Sequence, residues 1–271
     1  MEAIRLRPRR GGRALVGVVL AVLPALCGAS HRSANFAVEA PNVEVARKVA
    51  ERAEECRKAI ARAWLGRALP RWENPCSVRV KLTGGEAGGL TTITHARGKI
   101  KDLVMTVEGR LDRVLASALP HEVTHTVIAG YFGGEVPRWA DEGVSILSED
   151  RIERDRHDRI AAGVLGRGAA MPLGRLFRVE TYPAAIMDFY GQGYSVARFL
   201  VEIGGRPRLL HFLRDGSRNG WDAAARAHYG LADVEELDRA WRAWHRVASR
   251  ARPASDPVAV RLPSDDRPRG E

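Results

Sequence analysis

The sequence predicts a two-lobed α+β fold, with a small β-sheet in one lobe and mostly helices in the other. Polar and apolar residues alternate in short stretches between positions 77 and 107, as they do in half-buried strands. Apolar residues recur every three or four positions before residue 66 and again after residue 110, which is typical of helices packed on a core. With 271 residues, of which 45% are hydrophobic, the chain is long enough to bury one substantial core.

The first 30 residues are typical of a signal peptide. Five arginines within the first 13 positions precede an apolar stretch at 14–26, which is shorter than the roughly 20 residues of a membrane-spanning helix. Small residues follow at 27–30, where we expect cleavage. An uncleaved anchor and a lipidated Cys27 are the alternatives. The prediction is an exported bacterial protein, located in the periplasm, in the cell envelope or outside the cell, with no stable membrane span after cleavage.

The charge of the chain does not indicate a nucleic-acid partner. The formal net charge is +10, and the predicted signal peptide contributes five arginines and one glutamate to it, so the rest of the chain carries +6. The basic residues are scattered and lack the interleaved aromatic residues of a nucleic-acid-binding stripe. We therefore predict no nucleic-acid partner.

The predicted domain spans residues 31–250 and begins with a helix. Asn42 can cap this helix, and apolar residues at helical spacing continue to Gly66. Three strands are then predicted: 77–82, 90–95 and 103–107.

Two cysteines remain if a signal peptide that contains Cys27 is removed. An even pair in an oxidising compartment favours one disulfide, here between Cys56 and Cys76. Two buried free thiols are the alternative.

The segment HEVTH at 121–125 carries the clearest chemical signal. Helical residues four apart lie on one face with their β-carbons about 5–6 Å apart, so both imidazoles can reach one zinc ion at about 2.0–2.1 Å. Glu122 lies one step around the helix and can take a proton from a water whose pKa the metal lowers toward about 7. Pro120 fits the first turn of this motif helix, which we expect to end near Gly130.

A catalytic zinc site usually has three protein ligands and an open fourth position. His121 and His125 supply two ligands, so a third is needed. Seventeen positions after His125 comes Glu142, within the segment PRWADEG, whose proline is suited to a helix N-terminus. Glu142 is the predicted third ligand and Asp141 is the alternative. We expect the adjacent Gly143 to allow close packing against the motif helix.

The pair HEVTH and PRWADEG resembles the zinc site of the gluzincin metallopeptidases, and especially of the peptidase MA-like proteins of bacteria. The similarity is looser through the segment YGQGYS at 190–195 and covers about residues 35–248. It implies a zincin-like fold that hydrolyses a peptide or protein substrate. It also implies one zinc ion with Glu122 as general base and three ligands: His121, His125 and Glu142.

Two further expectations come from the same resemblance. In gluzincins a strand just before the motif helix borders the cleft, and we expect the free edge of the strand at 104–107 to pair with an extended substrate. Thermolysin-like enzymes carry an aspartate four residues after the glutamate ligand, where it orients a histidine. This chain has Ile146 there, so another residue must orient the histidine.

Peptide hydrolysis also needs a donor near the carbonyl oxygen, where negative charge develops. Gluzincins often use a tyrosine or a histidine downstream of the glutamate ligand. Tyr190 and Tyr194 are the candidates here, with His211 as a third. Tyrosines at this spacing can equally pack in a core with a hydrated hydroxyl.

Charge pattern and composition predict the remaining elements. Alternating charges at 151–159 predict a solvated helix, on which His157 faces solvent. Residues 163–185 are rich in glycine and proline and are expected to form a loop across the cleft. Two helices and a disordered tail complete the prediction: 190–203, about 231–241 and 251–271.

The sequence therefore predicts an exported zinc metallopeptidase. Endopeptidase activity is favoured over aminopeptidase activity, because no Gly-x-Met-Glu-Asn-type segment precedes the motif helix. The alternatives are a zinc-bearing cell-envelope domain without peptidase activity, a zinc hydrolase of another bond, and an ordinary solvated helix face at HEVTH. The sequence contains no signal for the oligomeric state.

Overall fold

The computed structural model describes residues 28–248 and 258–263, so the predicted signal peptide lies outside the described residues except for its last three positions. The described residues form a mixed α+β structure with one five-stranded sheet. Its strands are β1 (Ala29–Arg32), β2 (Phe36–Ala40), β3 (Cys76–Leu82), β4 (Gly88–Ala96) and β5 (Lys99–Gly109).

The helices begin with α1 between β2 and β3, and the others follow β5. They are α1 (Val43–Leu65), α2 (Leu111–Arg113), α3 (Leu119–Phe132), α4 (Arg138–Ile146), α5 (Arg151–Gly166), α6 (Leu173–Leu176), α7 (Ile186–Asn219), α8 (Trp221–Tyr229) and α9 (Val234–Ala248). In the described part of the chain, no helix combines the length and the apolar character that crossing a bilayer requires.

The sheet order is β1-β2-β3-β5-β4, so β5 lies inside the sheet and β4 forms an edge. Strands at the three predicted positions are present. The prediction of a free edge at 104–107 is wrong, because this part of β5 pairs with β3 on one side and with β4 on the other. Arg97 and Gly98, at φ 52° and 72°, form the two-residue turn that folds β4 and β5 into a hairpin and covers that edge.

Helix α1 confirms the first predicted helix, but two strands that were not predicted, β1 and β2, precede it. The side chain of Asn42 accepts a hydrogen bond from the backbone N–H of Val45 at 2.9 Å, and Gly66 ends the helix at φ 67°. Cys56 and Cys76 are both buried and are not bridged to each other, so the predicted disulfide is absent between them. Burial, followed by the charge of Glu122, raises the pKa of Cys76 to about 12.

The motif helix α3 starts where the sequence predicts it. A π-helical turn at Val114–Ala118 precedes it, and Pro120 lies in its first turn. Proline has no backbone N–H to donate to this turn, and the side chain of Arg52 donates to the carbonyl of Leu115 there at 3.2 Å. The helix ends at Gly133, with φ 66°, slightly beyond the predicted end near Gly130.

Helix α4 packs against α7 through two glycines. A β-carbon on Gly143 would overlap the carbonyl of Gly193, and a β-carbon on Gly193 would lie 2.5 Å from the carbonyl oxygen of Trp139. The close approach allowed by Gly143 is therefore toward α7, and the expectation that it packs against the motif helix is wrong. This contact fixes α4, which carries the predicted third ligand, against the long helix that carries the predicted tyrosines.

The later elements depart from the sequence prediction at several points. His157 is 5% exposed, because α5 packs on α7 and the ring faces that of Tyr194 at 6.1 Å. The prediction that His157 faces solvent is therefore wrong. Helix α6 lies within the predicted loop, and α7 continues beyond a break at Gly205, where φ is 78°. Residues 258–263, which fall in the predicted disordered tail, pack against the core through three buried side chains: Val258, Val260 and Leu262.

Candidate metal centre

Helices α3 and α4 bring the predicted ligands and the predicted base together. Potential ligand atoms of His121, Glu122 and His125 all lie within 4.8 Å of one another. Glu142, in the second turn of α4, places its Oε2 3.4 Å from Nε2 of His121. These side chains are largely buried, and those of Glu122 and Glu142 are almost completely so. The arrangement is a group of donors that could hold a metal ion.

A carboxylate holds His121 on the side away from Glu142. Nδ1 of His121 lies 2.6 Å from Oε1 of Glu149, and the other oxygen of Glu149 accepts a hydrogen bond from Ser117 at 2.8 Å. An ionised carboxylate can only accept, so Nδ1 donates and Nε2 is the nitrogen directed toward Glu142. Glu149 thus takes the orienting position that Ile146 cannot fill. Sequence reasoning missed it because α4 ends at Ile146, so helical spacing from Glu142 does not extend to this turn.

His125 is held in a similar way. Its Nδ1 lies 2.9 Å from Oδ1 of Asp141 and 3.3 Å from the hydroxyl of Ser145. Asp141, the alternative ligand, therefore lies against the nitrogen that donates. This geometry leaves Nε2 of His125 as a potential ligand atom.

The edge strand β4 positions the predicted base. Thr91 donates a hydrogen bond through its hydroxyl to Oε2 of Glu122 at 2.6 Å. A β-carbon on Gly89 would lie 2.6 Å from both Cγ and Oε1 of Glu122, so only glycine leaves room for this carboxylate. In the sequence, the pair Gly88-Gly89 indicates a turn. It does not indicate that Gly89 contacts the motif helix.

Four carboxylates surround the two imidazoles: Glu122, Asp141, Glu142 and Glu149. Burial alone would lower the pKa of His121, but Glu142 and Glu149 raise it well above its usual value. Burial would also lower the pKa of His125, but Asp141 raises it to about 9. Burial would raise the pKa of Glu142, and the two histidines lower it to about 2. The centre therefore stabilises positive charge, as a cation site must.

Two tyrosines lie beside Glu142, and one of them was not predicted. Tyr182 donates its hydroxyl to Oε1 of Glu142 at 2.5 Å, and its ring lies 6.0 Å from that of Tyr190. Burial, with the charge of Glu142 next, raises the pKa of each tyrosine, and Glu122 contributes to the shift of Tyr190. Both hydroxyls therefore remain protonated donors near neutral pH. Tyr182 lies in a loop between α6 and α7, where no periodicity could indicate it.

The other two candidates for the oxyanion donor have different neighbours. Tyr194 is fully buried, with its ring 6.1 Å from that of His157. His211 lies beyond the break in α7, with its ring 6.3 Å from that of His228. His228 in turn pairs with Asp215 at 2.7 Å.

A second group of potential metal donors lies behind His121. Glu149, Glu153 and His157 also bring ligand atoms within 4.8 Å of one another. Burial lowers the pKa of His157, so its ring is neutral near pH 7. Glu153 pairs with Arg113 at 3.0 Å.

Searches of protein-family models, curated proteins and solved structures found no match for this chain. The resemblance to gluzincins therefore rests on the sequence alone.

Proposed function

We propose that the protein is an exported zinc-dependent peptidase with a two-lobed, zincin-like arrangement around its cleft. One observation carries the proposal. Each histidine of HEVTH donates Nδ1 to its own carboxylate, Glu149 for His121 and Asp141 for His125. Paired carboxylates of this kind fix the tautomer and orientation of metal-binding histidines.

The donors fit zinc. Two imidazole nitrogens and one carboxylate are a common ligand set for catalytic zinc. His121, His125 and Glu142 would hold the ion. Bound zinc would lower the pKa of its water toward about 7 and polarise a substrate carbonyl.

Glu122 would act as the general base. Its carboxylate lies within the group of donors but is held by Thr91 from β4, which keeps it beside the ligands. It would accept the proton of the attacking water and pass it to the amine that leaves. A positioned base of this kind contributes about 10²–10⁴-fold to rate.

The substrate would bind along β4. This strand is the edge of the sheet, and the same strand positions the base through Gly89 and Thr91. An extended peptide that pairs with an edge strand gains backbone hydrogen bonds with little dependence on sequence. Such binding runs along the middle of a chain, which favours endopeptidase activity.

The two tyrosines would have different roles. Tyr182 donates directly to Glu142 and would orient this ligand. Tyr190 lies beside Tyr182, which donates to Glu142, and would donate to the carbonyl oxygen of a substrate bound there. Tyr190 would therefore stabilise the developing negative charge.

The test compares the full chain with its Glu122→Gln variant. We expect about one zinc ion per chain in both proteins, chelator-sensitive cleavage of an unfolded protein by the wild type, and a loss of about 10²–10⁴-fold in the variant. Glu51→Gln, on the exposed face of α1, is the matched control and should leave zinc and activity unchanged. Zinc binding without any cleavage by the wild type would contradict the peptidase and favour a binding domain.

A further inference from the structure

Residues 258–263, which we name the C-terminal strap, pack into the core although their composition predicts disorder. Val258, Val260 and Leu262 are 4%, 1% and 2% exposed, whereas Arg261 and Pro263 between and after them are exposed. This alternation is that of an extended segment with one face buried.

The strap has two polar attachments. The backbone N–H of Val260 donates to the carbonyl of Leu147 at 3.0 Å. Arg206 donates to the carbonyls of Val258 and Ala259, each at 2.9 Å. Arg206 directly follows the break in α7 at Gly205. The strap therefore ties the end of α4 to the break in α7.

The first attachment lies two residues from Glu149. Carbonyls at the end of a helix lack intrahelical partners, and the strap supplies one to Leu147 as α4 ends. The chain then turns through Ser148, and Glu149 reaches His121 at 2.6 Å. Leu147 is itself fully buried. The backbone that sets the position of Glu149 is thus packed under the strap.

We propose that the C-terminal strap is a positioning element of the metal centre, acting on His121 through Glu149. The inference rests on the proposed zinc-binding function. The hydrogen bonds of the strap join it to Leu147 and Arg206. Its effect comes from holding the turn after α4, so that the carboxylate of Glu149 meets Nδ1 of His121 at the right distance.

The test measures zinc affinity of the full chain with the substitution Val260→Asp. A charge at this buried position would expel the strap, and we expect zinc affinity to fall about 10–100-fold, the range typical of residues that orient metal ligands. Pro263→Asp adds the same side chain at an exposed position of the strap and should change nothing. Thermal unfolding without metal establishes that both variants are folded. If Val260→Asp is unfolded, Arg206→Met replaces it, because it removes two hydrogen bonds to the strap without burying a charge.

A second arm separates positioning from general stability. In a Glu149→Gln background, Val260→Asp should change zinc affinity by no more than about twofold, because both substitutions remove the same effect. Full additivity of the two losses, or unchanged zinc affinity in folded Val260→Asp and Arg206→Met, would overturn the role of the strap while leaving the zinc site intact. A wild-type chain that binds no zinc would overturn the proposed function itself.

Discussion

Two groups of histidine and glutamate lie side by side in this molecule, and the side chains that surround them differ. The first is His121, Glu122 and His125 on α3, and the second is Glu149, Glu153 and His157. In each, the potential ligand atoms lie within 4.8 Å of one another. By proximity alone the two groups are equivalent, although the first has two histidines and one glutamate and the second has one histidine and two glutamates.

The partners of the donors distinguish the groups. In the second group, Glu153 pairs with Arg113 at 3.0 Å and with Arg156 at 3.4 Å, so cationic side chains already neutralise its carboxylate. In the first group, Glu122 accepts from the neutral hydroxyl of Thr91. Glu142, which joins the first group, accepts from that of Tyr182. Neutral donors orient a carboxylate and leave its charge available to a metal ion.

Glu149 connects the two groups. It belongs to the second group by position, but its two carboxylate oxygens accept hydrogen bonds from His121 and Ser117. Glu149 therefore acts on the first group through its contact with His121. Each of the following predictions tests this asymmetry.

The largest expected difference is in zinc affinity, between substitutions of His125 in the first group and His157 in the second. His125→Gln should reduce zinc affinity by more than about 100-fold, beyond the range for orienting residues, and abolish peptidase activity. His157→Gln removes the same kind of side chain from the second group and should leave zinc affinity within about twofold of the wild type. Isothermal titration with zinc measures both. Equal losses in the two variants would mean that proximity of donors, rather than their partners, defines the site.

An intermediate effect is expected at the tyrosines that face the first group. Tyr190→Phe should lower kcat about 10²–10³-fold, the cost of one oxyanion donor, with zinc affinity unchanged. Tyr182→Phe should instead weaken zinc binding, because it removes the donor that orients Glu142. Steady-state kinetics at saturating zinc, beside zinc titrations, separate the two roles. If Tyr182→Phe lowered kcat and Tyr190→Phe did not, the roles of the two tyrosines would be the reverse of those proposed.

The smallest expected effect lies at the residue shared by both groups. Glu149→Gln should weaken zinc binding about 10–100-fold, because a neutral amide orients His121 less strongly than a carboxylate. Glu153→Gln, the neighbour that pairs with arginines, should have little effect on zinc affinity. If the two substitutions had the same effect, Glu149 would act through the stability of α5 and not through His121.

The sequence predicts the part of this centre that depends on local spacing. The positions of His121, Glu122 and His125 follow from helical geometry, and Glu142 follows from its place in a second short helix. Three of the five strand positions were also predicted, but β1, β2 and the sheet order were not. The assignment of the free edge to 104–107 was wrong because strand order depends on which partners pair, and alternation along one strand carries no such information.

Residues that act across tertiary contacts escaped prediction. Thr91, Glu149 and Tyr182 reach the centre from an edge strand, a turn and a loop, and their spacing from the motifs has no regular period. His157 shows the same limit, because alternating charges along α5 describe one helix and not the α7 surface that buries it.

The most direct test is the zinc content of the full chain beside two matched variants, Glu142→Ala and Glu153→Ala, measured by elemental analysis after removal of free metal. The account predicts about one zinc ion per chain in the wild type and in Glu153→Ala, and little or none in Glu142→Ala. Absence of zinc from the wild type, or its retention in Glu142→Ala, would contradict the claim that His121, His125 and Glu142 form a metal centre.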